Sequence, residues 1–213
     1  MKNCGRGKLL ASKAPVVTYF MIVANVIVFF YMMGLSEPAF EVFIGKYGLV
    51  PNSIMQGEQL STLITSMFLH GGIDHLVLNM LVLLISGDGC ERAMGSSRFL
   101  AFYIICGVGS GLFHTYTTPD PSITAIGASG AIFGVLAAFA IMFPFRMVIS
   151  FIGFIPIPLP AIVFVGLSVW FATVYVITGA NPHIAHTAHI GGFLVGLFLT
   201  LLFGPKKRKE EET

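Results

Sequence analysis

Charge is what this sequence has least of. Asp, Glu, Lys and Arg make up 10% of its 213 residues, where an ordinary soluble domain carries about 25%. Apolar residues make up 55% and the mean hydropathy is +0.86. Most of this chain therefore has lipid as its solvent. The formal net charge of +2 is too small to argue for a nucleic-acid partner. The three cysteines, Cys4, Cys90 and Cys106, are odd in number and lack metal-ligand spacing, so a disulfide framework is not expected. Of the six histidines, His70, His75, His114, His183, His186 and His189, none falls in an HExxH pattern, so neither a metal nor another cofactor is expected. No small-residue cleavage site follows the first apolar run. Lys2, Arg6, Lys8 and Lys13 therefore read as a basic tail before a first span rather than as a signal peptide.

What is abundant is apolar segments. They run Val16–Met33, Leu76–Ser86, Phe99–Tyr116, Ser129–Phe143, Ala161–Ile177 and Ala188–Phe203. Several fall short of the roughly 20 residues a straight span needs, so their ends must reach into flanking polar residues. The reading is an all-α polytopic membrane protein with six spanning helices: a basic tail over 1–14, a membrane domain over 15–204 and a charged tail over 205–213. Met147–Ile155 is also apolar, but Pro156, Pro158 and Pro160 follow closely, so it reads as a re-entrant or interfacial turn. The linker Gly34–Thr65 carries Phe40, Phe43, Tyr47 and Leu49 and is expected to lie in the interface.

Six spans put both termini on one side. If that side is the cytoplasm, the inner basic residues are Lys2, Arg6, Lys8, Lys13, Arg92, Arg98, Arg146, Lys206, Lys207, Arg208 and Lys209, and only Lys46 is outside. The positive-inside rule favours this orientation. The second, fourth and sixth spans then run inward, and His75, Ser129 and His189 open them near the outer leaflet.

The fourth span is short. Fifteen residues from Ser129 to Phe143 give about 22 Å of helix, against about 30 Å of hydrocarbon. If its inner end reaches the surface near Arg146, Ser129 is submerged beneath the loop Thr117–Ala128. Backbone outside a helix at that depth needs a protected or water-filled cavity.

Polar and ionisable residues inside a membrane are functional candidates. In Gly127-Ala128-Ser129-Gly130, a serine at a helix start has unpaired N–H groups beside it, which favour a developing oxyanion. Alone, the pattern fits a capping serine as well as a nucleophile. His189 supplies the base a serine needs, although a lone histidine here also fits a packing role. Gly192 and Gly196 form a GxxxG face, and Gly130, Gly134 and Ala138 offer a matching face on the fourth span. His75 and Asn79 share a helix face, either as oxyanion donors or as an interhelical clasp. No acid lies in the fifth or sixth span, which favours a Ser–His dyad over a triad.

Four separated motifs together resemble the rhomboid family over roughly Gly57 to Gly204. They are His70-Gly-Gly-Ile-Asp-His75-Leu-Val-Leu-Asn79-Met, Glu91-Arg-Ala-Met-Gly95-Ser-Ser-Arg98, Gly127-Ala-Ser129-Gly130 and Ala185-His186-Thr-Ala-His189-Ile-Gly-Gly192. The chain resembles the family's minimal prokaryotic form, although Ser61-Thr62 stand where many members carry Trp-Arg. The resemblance implies a six-helix bundle with a short central fourth helix, and an intramembrane serine endopeptidase acting on transmembrane protein substrates. It implies Ser129 as nucleophile, His189 as general base, and His75, Asn79 and the Ser129 backbone N–H as oxyanion hole. Phe133 then stands where an aromatic ring meets the base. The fifth span and the loop around Asn181–Thr187 resemble a mobile gate and cap. The alternatives are a non-catalytic rhomboid-like protein that binds membrane clients, or a transporter or metal site. No role follows for His70, His114, His183 or His186.

Overall fold

The computed structural model describes residues 14–152, 155–179 and 184–203. The basic tail, the charged run from Lys206, and Asn181 and His183 of the expected cap lie outside the described residues.

The chain is mostly helical, as a backbone in lipid must be to satisfy its own N–H and C=O groups. Helix α1 spans Val16–Met33, between Pro15 and Gly34. Then follow α2 (Glu37–Tyr47), α3 (Pro51–Met55), α4 (Thr62–Thr65) and a 3-10 turn at Ser66–Phe68. The longer elements are α5 (Ile73–Met94), α6 (Ser96–Thr117), α7 (Ser129–Met142), α8 (Ala161–Thr178) and α9 (His186–Phe203). By length and composition α1, α5, α6 and α8 can each cross a membrane, while α7 and the His186–Leu202 stretch of α9 are shorter apolar helices.

Helix α7 is the hub, packing on α5, α6, α8 and α9. Val135, Ala138 and Phe139 of α7 are fully buried, together with Leu83 of α5 and Phe99 and Tyr103 of α6. A helix apolar all round belongs in such a position.

One expectation needs correction. The chain is not purely helical: Met147–Ile152 and Ile155–Pro160 form an antiparallel hairpin, β1 and β2. The prolines, read as a break, recur at every second residue. In a two-stranded pair alternate residues point their N–H groups away from the partner, so Pro156, Pro158 and Pro160 can occupy that outer edge without losing a ladder bond. The first linker is largely helical. Its aromatic residues pack on one another and on α1, with the Phe43 ring 4.7 Å from Tyr47 and 5.5 Å from Tyr31.

Helix α5 also runs past the apolar stretch ending at Ser86, because its polar end has partners. Asp88 and Arg92 form an i,i+4 ion pair at 3.0 Å. Glu91 is buried, and its carboxylate accepts from the Val17 N–H (3.0 Å), the Thr18 N–H and hydroxyl (both 2.8 Å) and the Ser96 hydroxyl (2.7 Å). Helix starts leave N–H groups without intrahelical partners, and here a carboxylate more than 70 residues away satisfies two of them. Glu91→Ala is expected to destabilise the fold by about 2–4 kcal/mol, with Glu91→Gln intermediate. Thermal unfolding in mild detergent checks this, and an unchanged Tm would mean that packing alone holds α1.

Candidate active site

Ser129 opens α7, where the first N–H groups lack helical partners. The loop leading to it is not helical, and the first linker pins its backbone. Leu49 and Ala125 exchange N–H···O bonds of 3.0 and 2.8 Å, the Asn52 N–H donates to the Pro121 carbonyl (3.0 Å), and the Gly127 N–H donates to the Ser66 carbonyl (2.9 Å). Gly127 has φ +123°, a conformation that favours glycine. A Cβ there would also meet the His75 ring at 2.8 Å and come within 3.9 Å of Ser129 Oγ. The His75 ring and the serine hydroxyl thus flank the same point.

Helix α9 carries His189 to within 2.8 Å of Ser129, Nε2 to Oγ. Two glycines allow that approach: a Cβ on Gly192 would overlap the Gly130 carbonyl oxygen, and one on Gly196 would overlap the Gly134 backbone. The Phe133 ring stacks on His189, with centroids 4.4 Å apart and planes 4° from parallel. The ring is therefore held on a face, and its free rotation is restricted.

His75 and Asn79 stand one turn apart at the head of α5. The Asn79 amide donates one N–H to the His75 carbonyl (2.9 Å), and its second N–H remains for another acceptor. His70 precedes them in the turn, its ring 4.9 Å from His75. Burial, and less strongly the neighbouring His75, pushes its pKa down to about 4, so at neutral pH it adds no charge beside His75.

All five polar and aromatic candidates, Ser129, His189, His75, Asn79 and Phe133, line one cavity of about 720 Å³ between α5, α7, α8 and the start of α9. Asp120 also lines the cavity, but its carboxylate accepts from the Ser122 hydroxyl (2.6 Å) and N–H (2.9 Å). Among the described residues no carboxylate hydrogen-bonds to His189.

Some tethers escaped the sequence reading. The Ser110 hydroxyl donates to the Ala188 carbonyl (2.7 Å), and His114 Nδ1 bonds the Thr187 hydroxyl, so α6 holds the two residues just before His189. The available signal was that Ser110 and His114 are polar residues within an apolar helix. His186 was left without a role, yet it lies one helical turn before His189 and so shares its face.

A serine hydroxyl bonded to an imidazole, beside free N–H groups in a lipid-embedded bundle, has the parts of an intramembrane hydrolase site. The Rhomboid domain profile matches residues 57–206, and the chain belongs to the rhomboid family. It is an integral membrane protein. It is 31% identical over 195 residues to Rhomboid protease GluP of Bacillus subtilis (strain 168), an alignment covering 91% of this chain and 36% of that one. It is 30% identical over 218 residues to Rhomboid protease AarA of Providencia stuartii, covering 89% and 73%. Putative rhomboid protease YdcA of Bacillus subtilis (strain 168) is 28% identical over 210 residues, covering 92% of each chain. This chain thus spans little more than a third of GluP.

Proposed function

We propose that this protein is an intramembrane serine endopeptidase that cuts transmembrane segments of other membrane proteins near the outer face of the bilayer. The observation that carries the reading is the 2.8 Å contact between Ser129 Oγ and His189 Nε2. For the serine to donate, Nε2 must hold the lone pair and Nδ1 the proton. Oγ then attacks the scissile carbonyl carbon while His189 takes its proton. The tetrahedral oxyanion is stabilised by the Ser129 N–H, His75 and Asn79. His189 returns the proton to the leaving amine, and water hydrolyses the acyl-enzyme by the same route.

In this reading all six apolar helices span, α7 and α9 with their outer ends below the surface. The membrane domain covers 15–204, between a basic tail over 1–14 and a charged tail over 205–213. In this reading the protein lies in the plasma membrane, and the 11-to-1 split of basic residues supports cytoplasmic termini.

The experiment is cleavage of a single-span substrate by purified protein in liposomes, with and without a chelator. Cleavage that survives the chelator supports the serine mechanism. Binding without cleavage would favour a client-binding protein, and loss with chelator a metal enzyme. Removing one oxyanion donor typically costs about 10²–10³-fold in rate. Asn79→Ala is expected to cost less than that, because His75 and the backbone N–H remain. Wild-type rates for both His75→Ala and Asn79→Ala would make the pair structural only.

A further inference from the structure

Helix α8 closes one side of the cavity and lies at the edge of the bundle. Only 17% of its span is buried, against 50% for α6. Near its outer end Tyr175 reaches α9. The Tyr175 ring stacks on His186 with centroids 4.7 Å apart and planes 25° from parallel. His186 in turn meets His189 edge-on, at 5.7 Å and 86°. His189 lies flat on Phe133. Four rings from three helices thus form one continuous stack, with the base as its third member. Offset-stacked and edge-to-face contacts are the arrangements aromatic rings prefer.

We infer that Tyr175 and His186 are positioning residues, which hold the His189 imidazole against Phe133 and so keep Nε2 at Ser129. This rests on the proteolytic reading above. Phe133 supports one side of the imidazole and His186 contacts it at a right angle. Without His186 the imidazole can swing about its side-chain bonds. Without Tyr175, His186 loses the ring it stacks on. The stack also ties the geometry of the base to α8: when the outer end of α8 moves away from α9, His186 loses a partner. Productive hydrolysis therefore requires Tyr175 on its ring, and a substrate that enters past α8 must leave that end of the helix in place.

The test uses the full-length purified protein. Its three readouts are kcat and KM for a single-span substrate, the rate at which a small fluorophosphonate phosphonylates Ser129, and Tm. The small probe does not need α8 to open. Tyr175→Ala and His186→Ala are each expected to slow phosphonylation and lower kcat by roughly 10–100-fold, as a displacement of about 1 Å does, with KM little changed. Tyr175→Leu, which keeps apolar bulk without a ring, is expected to match Tyr175→Ala and guards against misfolding. Tyr175→Phe is expected to recover most of the loss. Wild-type phosphonylation rates in the ringless variants would overturn the inference and leave the proteolytic reading standing. So would faster cleavage by Tyr175→Ala, which would make Tyr175 only a barrier to entry. A wild type inert to both probe and substrate would overturn the proteolytic reading itself, and this inference with it.

Discussion

Ser129→Ala and His189→Ala are each expected to reduce cleavage by about 10⁴–10⁶-fold, the range seen when one member of such a unit is removed. The reason is the single hydrogen bond between them, 2.8 Å from Oγ to Nε2. In the proposed mechanism, alanine at 129 removes the attacking oxygen. Alanine at 189 leaves a hydroxyl whose proton has nowhere to go, and among the described residues no carboxylate stands behind the base to replace it. The double variant should be scarcely worse than either single, because the two act as a unit. The fold should survive, since Ser129→Ala removes one hydrogen bond worth about 1 kcal/mol. Substantial activity in either variant, with Tm unchanged, would mean that another pair performs the chemistry.

The second large effect is expected at a residue that touches no reacting atom. A Cβ on Gly192 would overlap the Gly130 carbonyl oxygen, and that neighbour is backbone, which cannot swing aside as a side chain does. Gly192→Ala must therefore push α9 away from α7. His189 lies one turn before Gly192, so it moves with the helix. A displacement of about 1 Å can cost 10²-fold in rate. Gly192→Ala is expected to lose about that much, and to lower stability by about 1–3 kcal/mol, as overpacking commonly does. Gly192→Val should be worse in both respects. Gly166→Ala is the control, because a Cβ there on α8 meets nothing within 4 Å. Turnover and Tm of the three variants decide the matter. A Gly192→Val protein as active and stable as the parent would mean that α7 and α9 do not need this contact.

Where one physical signal dominated, the sequence could be read directly. Val16–Met33 is a predominantly apolar run between Pro15 and Gly34, and α1 has those bounds. The GxxxG spacing anticipated a backbone-close approach, and Gly192 and Gly196 do lie against Gly130 and Gly134. Where two signals competed, the reading went astray. Proline at 156, 158 and 160 argued for a break, but its two-residue period suits the outer edge of a hairpin. The polar residues at the C-terminal end of α5 continue the helix, as the shortness of its apolar stretch required, but the sequence did not show that Glu91 is buried there by donors from α1 and α6. Its bonds to α1 join residues 73 apart in sequence or more, so no local pattern reports them. The ring stack through Tyr175 and His186 was hidden for the same reason. His186 shares a face with His189 by spacing, but only the packing of α8 on α9 brings in Tyr175.

The most direct measurement is mass spectrometry of the purified protein after reaction with a fluorophosphonate, taken alongside substrate cleavage. If Ser129 is the nucleophile and His189 its base, the adduct forms on Ser129, cleavage stops in step with labelling, and His189→Ala is labelled far more slowly. A protein that cleaves its substrate at full rate with Ser129 fully phosphonylated, or as Ser129→Ala, would contradict the account.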